Sequence, residues 1–142
     1  MKRAAIFLAV VLAIPTSVAL AKGPGSHGRS APKVNYILKG TLSGYTPVQG
    51  TTNGQITIVV NHSNYHGRAL KNQQVTFTLV AGKSRVTFMR GSHAHGQIVD
   101  GTKGYIVARA PKRISGDIVT ELPNQTTRVH VVVLKAPAPP TP

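Results

Sequence analysis

The sequence predicts an all-β protein, built as a single small antiparallel barrel of five to six strands or as a sandwich. Two neighbouring segments, residues 55–60 and 73–80, alternate apolar and polar side chains with a period of two, which is typical of strands with one buried face. Gly- and Asn-containing turns separate the other apolar segments, and no long amphipathic helix is evident. A partly closed barrel is preferred because closure removes exposed sheet edges.

The first predicted strand covers residues 34–43, in which Gly40 marks a bulge or a barrel corner. Residues 44–54 form a loop, and Asn53 with Gly54 makes a tight turn before the second strand. Residues 61–72 connect the two alternating strands and are basic and rich in turn formers. These features predict three strands in the first half of the domain.

Residues 85–89 form the next predicted strand, and the short link 81–83 makes this strand the hairpin partner of residues 73–80. A polar loop at 90–97 and a turn at 100–104 precede a strand at 105–110, which Pro111 ends. Residues 112–124 are an irregular crossover or one short helical turn around 114–122. The last strand covers 128–135, and we expect Ile58, Phe77 and Val131 to share one interior.

The first 21 residues resemble a signal peptide. Lys2 and Arg3 precede an apolar run at 4–14, and a small-x-small pattern ends at Ala21. We expect cleavage near Ala21, a secreted or extracytoplasmic location in the cell envelope, and no transmembrane span in the mature chain. The alternative is an uncleaved anchor helix, although the run is shorter than the roughly 20 residues of a membrane span.

The rest of the chain divides into a flexible basic leader at 22–33, a β-domain at 34–136 and a Pro-rich tail at 137–142. The chain contains no Cys, so packing without disulfides must stabilise the domain. The whole chain has a formal net charge of +14, and residues 22–142 hold 15 basic against three acidic residues, a balance of +12. An acidic partner is the first expectation from this charge.

Four segments carry a resemblance to a known class of domains. They are GTLS at 40–43, GQITIVV at 54–60, NQQVTF at 72–77 and DGTKGYIVARA at 100–110. Together they resemble exported bacterial small β-barrel domains of unknown function, which are common in actinobacteria and similar in architecture to the OB-fold. Asp100 and Gly101 take the place of the turn that precedes a Val-rich strand in those domains. The resemblance implies the fold and the export, but no activity.

No catalytic residues and no cofactor are predicted. Asp100, Asp117 and Glu121 are the only acidic residues, so a carboxylate pair or an orienting acid for a nucleophile is hard to assemble, and no Gly-x-Ser-x-Gly elbow is present. Asp100 lies at a turn, where its side chain is expected to accept backbone N–H bonds. We therefore predict a protein that is not an enzyme.

The basic residues give the main functional prediction, which is an envelope-associated binding or structural module that contacts polyanions through basic loops. The partner would be an anionic envelope polymer or lipid headgroups. The alternative is that these residues only keep the protein surface hydrated and bind no partner. The candidate contact residues are Arg68, Lys71, Lys83, Arg85, Arg90, Arg109, Lys112 and Arg113.

Two other functions stay open. Metal binding to Zn²⁺ or Cu²⁺ would use the loop histidines His62, His66, His93 and His95. Binding of extracellular nucleic acid on an OB-like face would use Tyr36, Tyr45, Tyr65 or Tyr105 as stacking platforms. Intracellular nucleic acid is not an expected partner, because the leader indicates export.

Overall fold

The computed structural model describes residues 30–139, so the predicted signal peptide, most of the predicted basic leader and the last three residues of the predicted tail lie outside the described residues. Six strands, one α-helix and one 3₁₀ helix make up the domain. In chain order they are β1 (Lys33–Thr46), β2 (Gly54–Ser63), the 3₁₀ helix (Tyr65–Leu70), β3 (Gln74–Leu79), β4 (Arg85–Phe88), β5 (Thr102–Pro111), α1 (Ile118–Gln125) and β6 (Arg128–Lys135).

The strands form one sheet in the order β3-β2-β1-β5-β6-β4. All neighbours are antiparallel except β4 and β6, which pair in parallel. The mostly β content is as predicted, but the all-antiparallel barrel or sandwich and the β3–β4 hairpin are wrong. The single sheet is mixed, and it is not closed into a barrel.

Local hydrogen bonds explain why the predicted hairpin does not form. The Val80 N–H donates to the Ser84 hydroxyl at 2.8 Å, and the Val80 carbonyl accepts the Ser84 N–H at 2.9 Å. These bonds end β3 in a compact turn in place of a continuing ladder. The chain then crosses to the opposite edge of the sheet, where β4 pairs with β6.

The sheet is nevertheless strongly curled. Its two edge strands are joined by the short link from Leu79 to Arg85, which spans at most about 21 Å when fully extended. The edges of a flat six-stranded sheet would lie about 24 Å apart. Curling creates one interior, where Ile58, Phe77 and Val131 are fully buried in the same apolar cluster, as predicted.

Helix α1 packs against β3, β5 and the 3₁₀ helix and buries Leu122 completely. It begins after Asp117, whose side chain accepts the Val119 N–H at 3.1 Å and so caps the helix. The helix begins four residues later than the helical turn that the sequence suggested around Ile114, and it ends at Gln125. Within residues 30–139, no helix is long and apolar enough to cross a membrane.

Gly40 forms the predicted bulge. The register of β1 against β2 shifts between Lys39 and Gly40, and a Cβ on Gly40 would overlap the carbonyl oxygen of Val59. Only glycine lets the two backbones approach this closely. The bulge increases the local twist of the long strand β1, which fits the curl of the sheet.

Tyr36 connects β1 to the end of β5 through its hydroxyl group. The ring is buried, and the hydroxyl lies 2.9 Å from the Pro111 carbonyl oxygen and 3.2 Å from that of Lys112. Burial raises the pKa of Tyr36, because the phenolate would lose its hydration.

Replacement of Gly40 by alanine should destabilise the domain by about 1–3 kcal/mol, because the new methyl group must displace the β2 backbone. Chemical denaturation followed by circular dichroism measures the loss. The neighbouring Lys39→Ala, at an exposed site, should change the free energy of unfolding by no more than about 0.5 kcal/mol. Equal stabilities for the two variants would contradict this role of Gly40.

Tyr36→Phe should lower the free energy of unfolding by about 1 kcal/mol at neutral pH, because the partly buried hydrogen bond of the hydroxyl group is lost. The raised pKa of Tyr36 means that its contribution is complete below about pH 10 and falls as the pH rises toward the folded-state value. The difference between wild type and variant should therefore narrow in alkaline solution. A difference that widens above pH 10 would contradict the assignment.

Candidate functional site

A cleft of about 530 Å³ opens where β1, β5, β6 and β4 run beside the β3–β4 turn. The inward side chains of β5 and β6, such as Ala108 and Val131, are buried in the core. Arg109 and Arg128 alternate with these buried positions and are exposed, so the cleft lies on the outer face of the sheet. Val107 is half-buried and contributes an apolar part of the lining.

The sheet register places the polar residues of the cleft beside one another. Arg109 of β5 lies opposite Asn35 of β1 on one side and opposite Arg128 of β6 on the other. His130, two residues after Arg128, pairs with Arg85 of β4. Residues opposite each other in neighbouring strands have Cβ atoms about 5 Å apart, so these side chains share one surface.

The β3–β4 turn brings a further cation to the cleft. Gly82 has a φ of +72°, which favours glycine, and the turn it forms carries Lys83 and Ser84 into the lining. The Ser84 oxygen already accepts the Val80 N–H, so its own O–H is available as a donor to a ligand. The turn that prevents the hairpin thus completes the cleft.

His130 occupies the outer face of β6. Its Nε2 atom lies 2.9 Å from the Thr87 hydroxyl of β4, and its ring is half-buried. This contact fixes the ring between β6 and β4 and leaves its other nitrogen for interactions elsewhere.

The three acidic residues are engaged away from the cleft. Asp100 accepts the Gly44 N–H at 2.9 Å, which is the backbone role expected at its turn. Asp117 caps α1, and Glu121 lies in the first turn of the same helix, where a negative charge is favourable. No acidic residue is among those that line the cleft. Residues 30–139 hold thirteen Lys and Arg against these three acids, a balance of +10.

The structure brings together only part of the predicted contact set. Lys83, Arg85 and Arg109 line the cleft, whereas Arg68, Lys71, Arg90, Lys112 and Arg113 are exposed but do not. The Arg68 guanidinium stacks over the Tyr65 ring, 4.7 Å from its centre, on the 3₁₀ helix.

Arg128, His130 and Asn35 line the cleft but are not among the predicted contact residues. The signal for Arg128 and His130 was their position on the alternating face of the last predicted strand, opposite the apolar valines. Asn35 had an equivalent position on β1. Their proximity to Arg109 and Arg85 depends on strand pairing, which alternation alone does not give.

The candidate metal ligands lie in different parts of the fold. His62 is exposed near the end of β2, and the His66 ring packs 6.0 Å from that of Tyr36. His93 and His95 are exposed in the loop after β4, with φ values of +54° and +47°. In the described part of the chain, no three His, Asp or Glu side chains form a group that could hold a metal ion.

The tyrosines do not form a common stacking platform. Tyr36 is buried with its ring in the core, so its ring is not available to a base, which corrects the expectation for this residue. Tyr45 and Tyr105 are half-buried. Tyr65 is 71% exposed, but its ring already carries the Arg68 guanidinium.

No protein-family model matches the chain, and comparisons with curated proteins and with solved structures also give no match. The resemblance to exported β-barrel domains therefore stays a prediction. The geometry and charge of the cleft carry the functional interpretation.

Arg128→Thr should raise the free energy of unfolding by about 0.2–1 kcal/mol at low ionic strength, because like charges directly opposite in a sheet repel. The gain should shrink as salt screens the pair with Arg109. Thermal unfolding at two salt concentrations measures both effects. Lys39→Thr is the matched control, since the partners of Lys39 across the sheet are His62 and Tyr105, and its effect should not depend on salt in this way. A destabilised Arg128→Thr protein at low salt would contradict the repulsion.

Proposed function

We propose that this protein is a non-catalytic binding module that holds polyanions on the basic outer face of its sheet. The observation that carries the proposal is the convergence of Lys83, Arg85, Arg109 and Arg128 on one cleft that no acidic residue lines. A cleft lined by charges of one sign concentrates the electrostatic field and attracts ligands of opposite charge.

The extent of the positive face favours a polymer or a charged surface as the partner. Lys103 and Lys135 are exposed and lie opposite each other at the other end of the β5–β6 pair. Lys103 and Arg109 are six residues apart on β5, which corresponds to about 20 Å. A single small anion would not contact both ends, whereas a chain of repeating anionic units would.

The cell envelope is the proposed location of this partner. The support comes from the signal-peptide pattern at residues 1–21 and from the resemblance to exported domains. An extracytoplasmic protein with this charge would encounter acidic envelope polymers and anionic lipid headgroups. The roles of all three acidic residues in turns and in α1 support a function without a catalytic carboxylate.

The proposal predicts salt-sensitive retention of the protein, purified after expression of the full chain, on polyanions. Sedimentation with phosphatidylglycerol vesicles and retention on immobilised poly(glycerol phosphate) measure it. Binding should be strong at low salt and fall steeply as the salt concentration rises, because the polyanion regains its counterions. Vesicles of phosphatidylcholine are the neutral control. Retention that is unchanged between low and high salt, or equal on neutral vesicles, would contradict the proposed function.

A further inference from the structure

We propose that the cleft is a specific site for a phosphoryl group, held by the guanidinium groups of Arg85, Arg109 and Arg128. The inference rests on the proposed function and deepens it. The cleft would recognise the phosphoryl group itself, whereas the other basic residues of the outer face would attract polyanions without selecting a chemical group.

The three arginines all line the same cleft. They come from three strands that are neighbours in the sheet, β4, β6 and β5, and Arg109 and Arg128 lie directly opposite each other. Arg85 reaches the same cleft from beyond His130. Three rigid forks of N–H donors therefore line one cleft and can act on the same ligand.

The shape of the anion favours a phosphoryl group over a carboxylate. A carboxylate has two oxygens in one plane and is satisfied by one or two guanidinium forks lying in that plane. The oxygens of a phosphoryl group point in tetrahedral directions and can accept bonds from forks on several sides. Arginine is the preferred residue for such bidentate contacts with phosphate. Lys83, on the turn at the edge of the cleft, adds a fourth positive charge.

The size and neutral lining of the cleft indicate what the phosphoryl group is attached to. Its volume of about 530 Å³ is larger than one phosphate group and lies within the range of sites for small organic ligands. Val107 offers an apolar surface, and Asn35 and Ser84 offer hydrogen bonds for hydroxyl groups. The ligand that fits these features is a phosphoryl group attached to a polyol or sugar, as in a phosphate-linked polymer or a phospholipid headgroup.

The cluster of arginines lowers the stability of the fold when no anion is bound. A pair of like charges opposite each other in a sheet destabilises the fold, and no acidic residue in the lining offsets the pair. Bound phosphate would remove this repulsion.

The experiment is a titration of the protein, purified after expression of the full chain, with inorganic phosphate at constant ionic strength. Calorimetry and amide chemical shifts monitor the binding. We expect saturable binding of one phosphate, with shifts centred on Arg109, Arg128 and the β3–β4 turn. Acetate at the same ionic strength should bind at least about tenfold more weakly. Equal affinity for acetate and phosphate, or shifts spread over all basic residues, would overturn the inference.

Two double variants separate the site from total charge. Arg109→Gln/Arg128→Gln should weaken phosphate binding about tenfold or more, whereas Lys103→Gln/Lys135→Gln removes the same charge from the matched cross-strand pair and should leave phosphate affinity unchanged. Arg109→Lys/Arg128→Lys keeps the charge but loses the forks. It should also lose phosphate affinity while keeping salt-sensitive retention on polyanions. Equal effects of the glutamine pairs would overturn the site, and thermal unfolding confirms that each variant is folded.

The source of the phosphoryl group is distinguished by competition. Inorganic phosphate should release the protein from phosphatidylglycerol vesicles if the group belongs to a lipid headgroup, and from poly(glycerol phosphate) if it belongs to a polymer. Release from either supports the inference, and release from neither overturns it. If retention on polyanions is salt-sensitive but no phosphate binds, the site fails and the proposed function stands. If neither retention nor phosphate binding occurs, both fail.

Discussion

The parallel pairing of β4 with β6 is the interaction on which both the core and the cleft depend. On the inner face it sets Val86 opposite Val131 and Phe88 opposite Val133, so that a short edge strand adds apolar side chains to the interior. On the outer face the same register sets Arg85 beside His130. Since side chains of a strand alternate between faces, a shift of one residue would bury Arg85 and expose Phe88. The core therefore fixes the geometry of the cleft.

The β3–β4 turn has an equally double role, because it lies where the curled sheet stays open. Ser84 bonds to both backbone groups of Val80 and ends β3, and the same few residues carry Lys83 into the cleft. The two edge strands meet at this turn without forming a ladder, so the sheet encloses its core without closing. A continuous β3–β4 ladder would pair the two free edges of the sheet and complete the barrel. The same turn therefore leaves the sheet open and supplies Lys83 and Ser84 to the cleft.

Much of the fold could be predicted from the sequence, because alternation and glycine chemistry are local properties. The last strand has the predicted bounds, and the bulge at Gly40 follows from the absence of a side chain where two backbones meet. The pairing of β4 could not be predicted, since a short link is compatible with a hairpin, and the competing partner, Val131, is over 40 residues further on. Alternation likewise identified the outer face of β6 but not its neighbours. For this reason Arg128 and His130 were missed, while Arg109 was found among other clustered cations.

The three acidic residues do not neutralise the positive charge of the cleft. A protein with this excess of positive charge gains stability by placing each carboxylate among cations, yet Asp100 and Asp117 bond to backbone N–H groups instead. The positive charges of the cleft consequently act on solvent and on ligands without internal neutralisation. An anion that binds there relieves repulsion in the folded chain, and it has no comparable set of groups to bind in the unfolded one. Under the proposed function, ligand binding and fold stability would be coupled through the Arg109–Arg128 pair, so that a partner bound in the cleft would also stabilise the sheet that forms it.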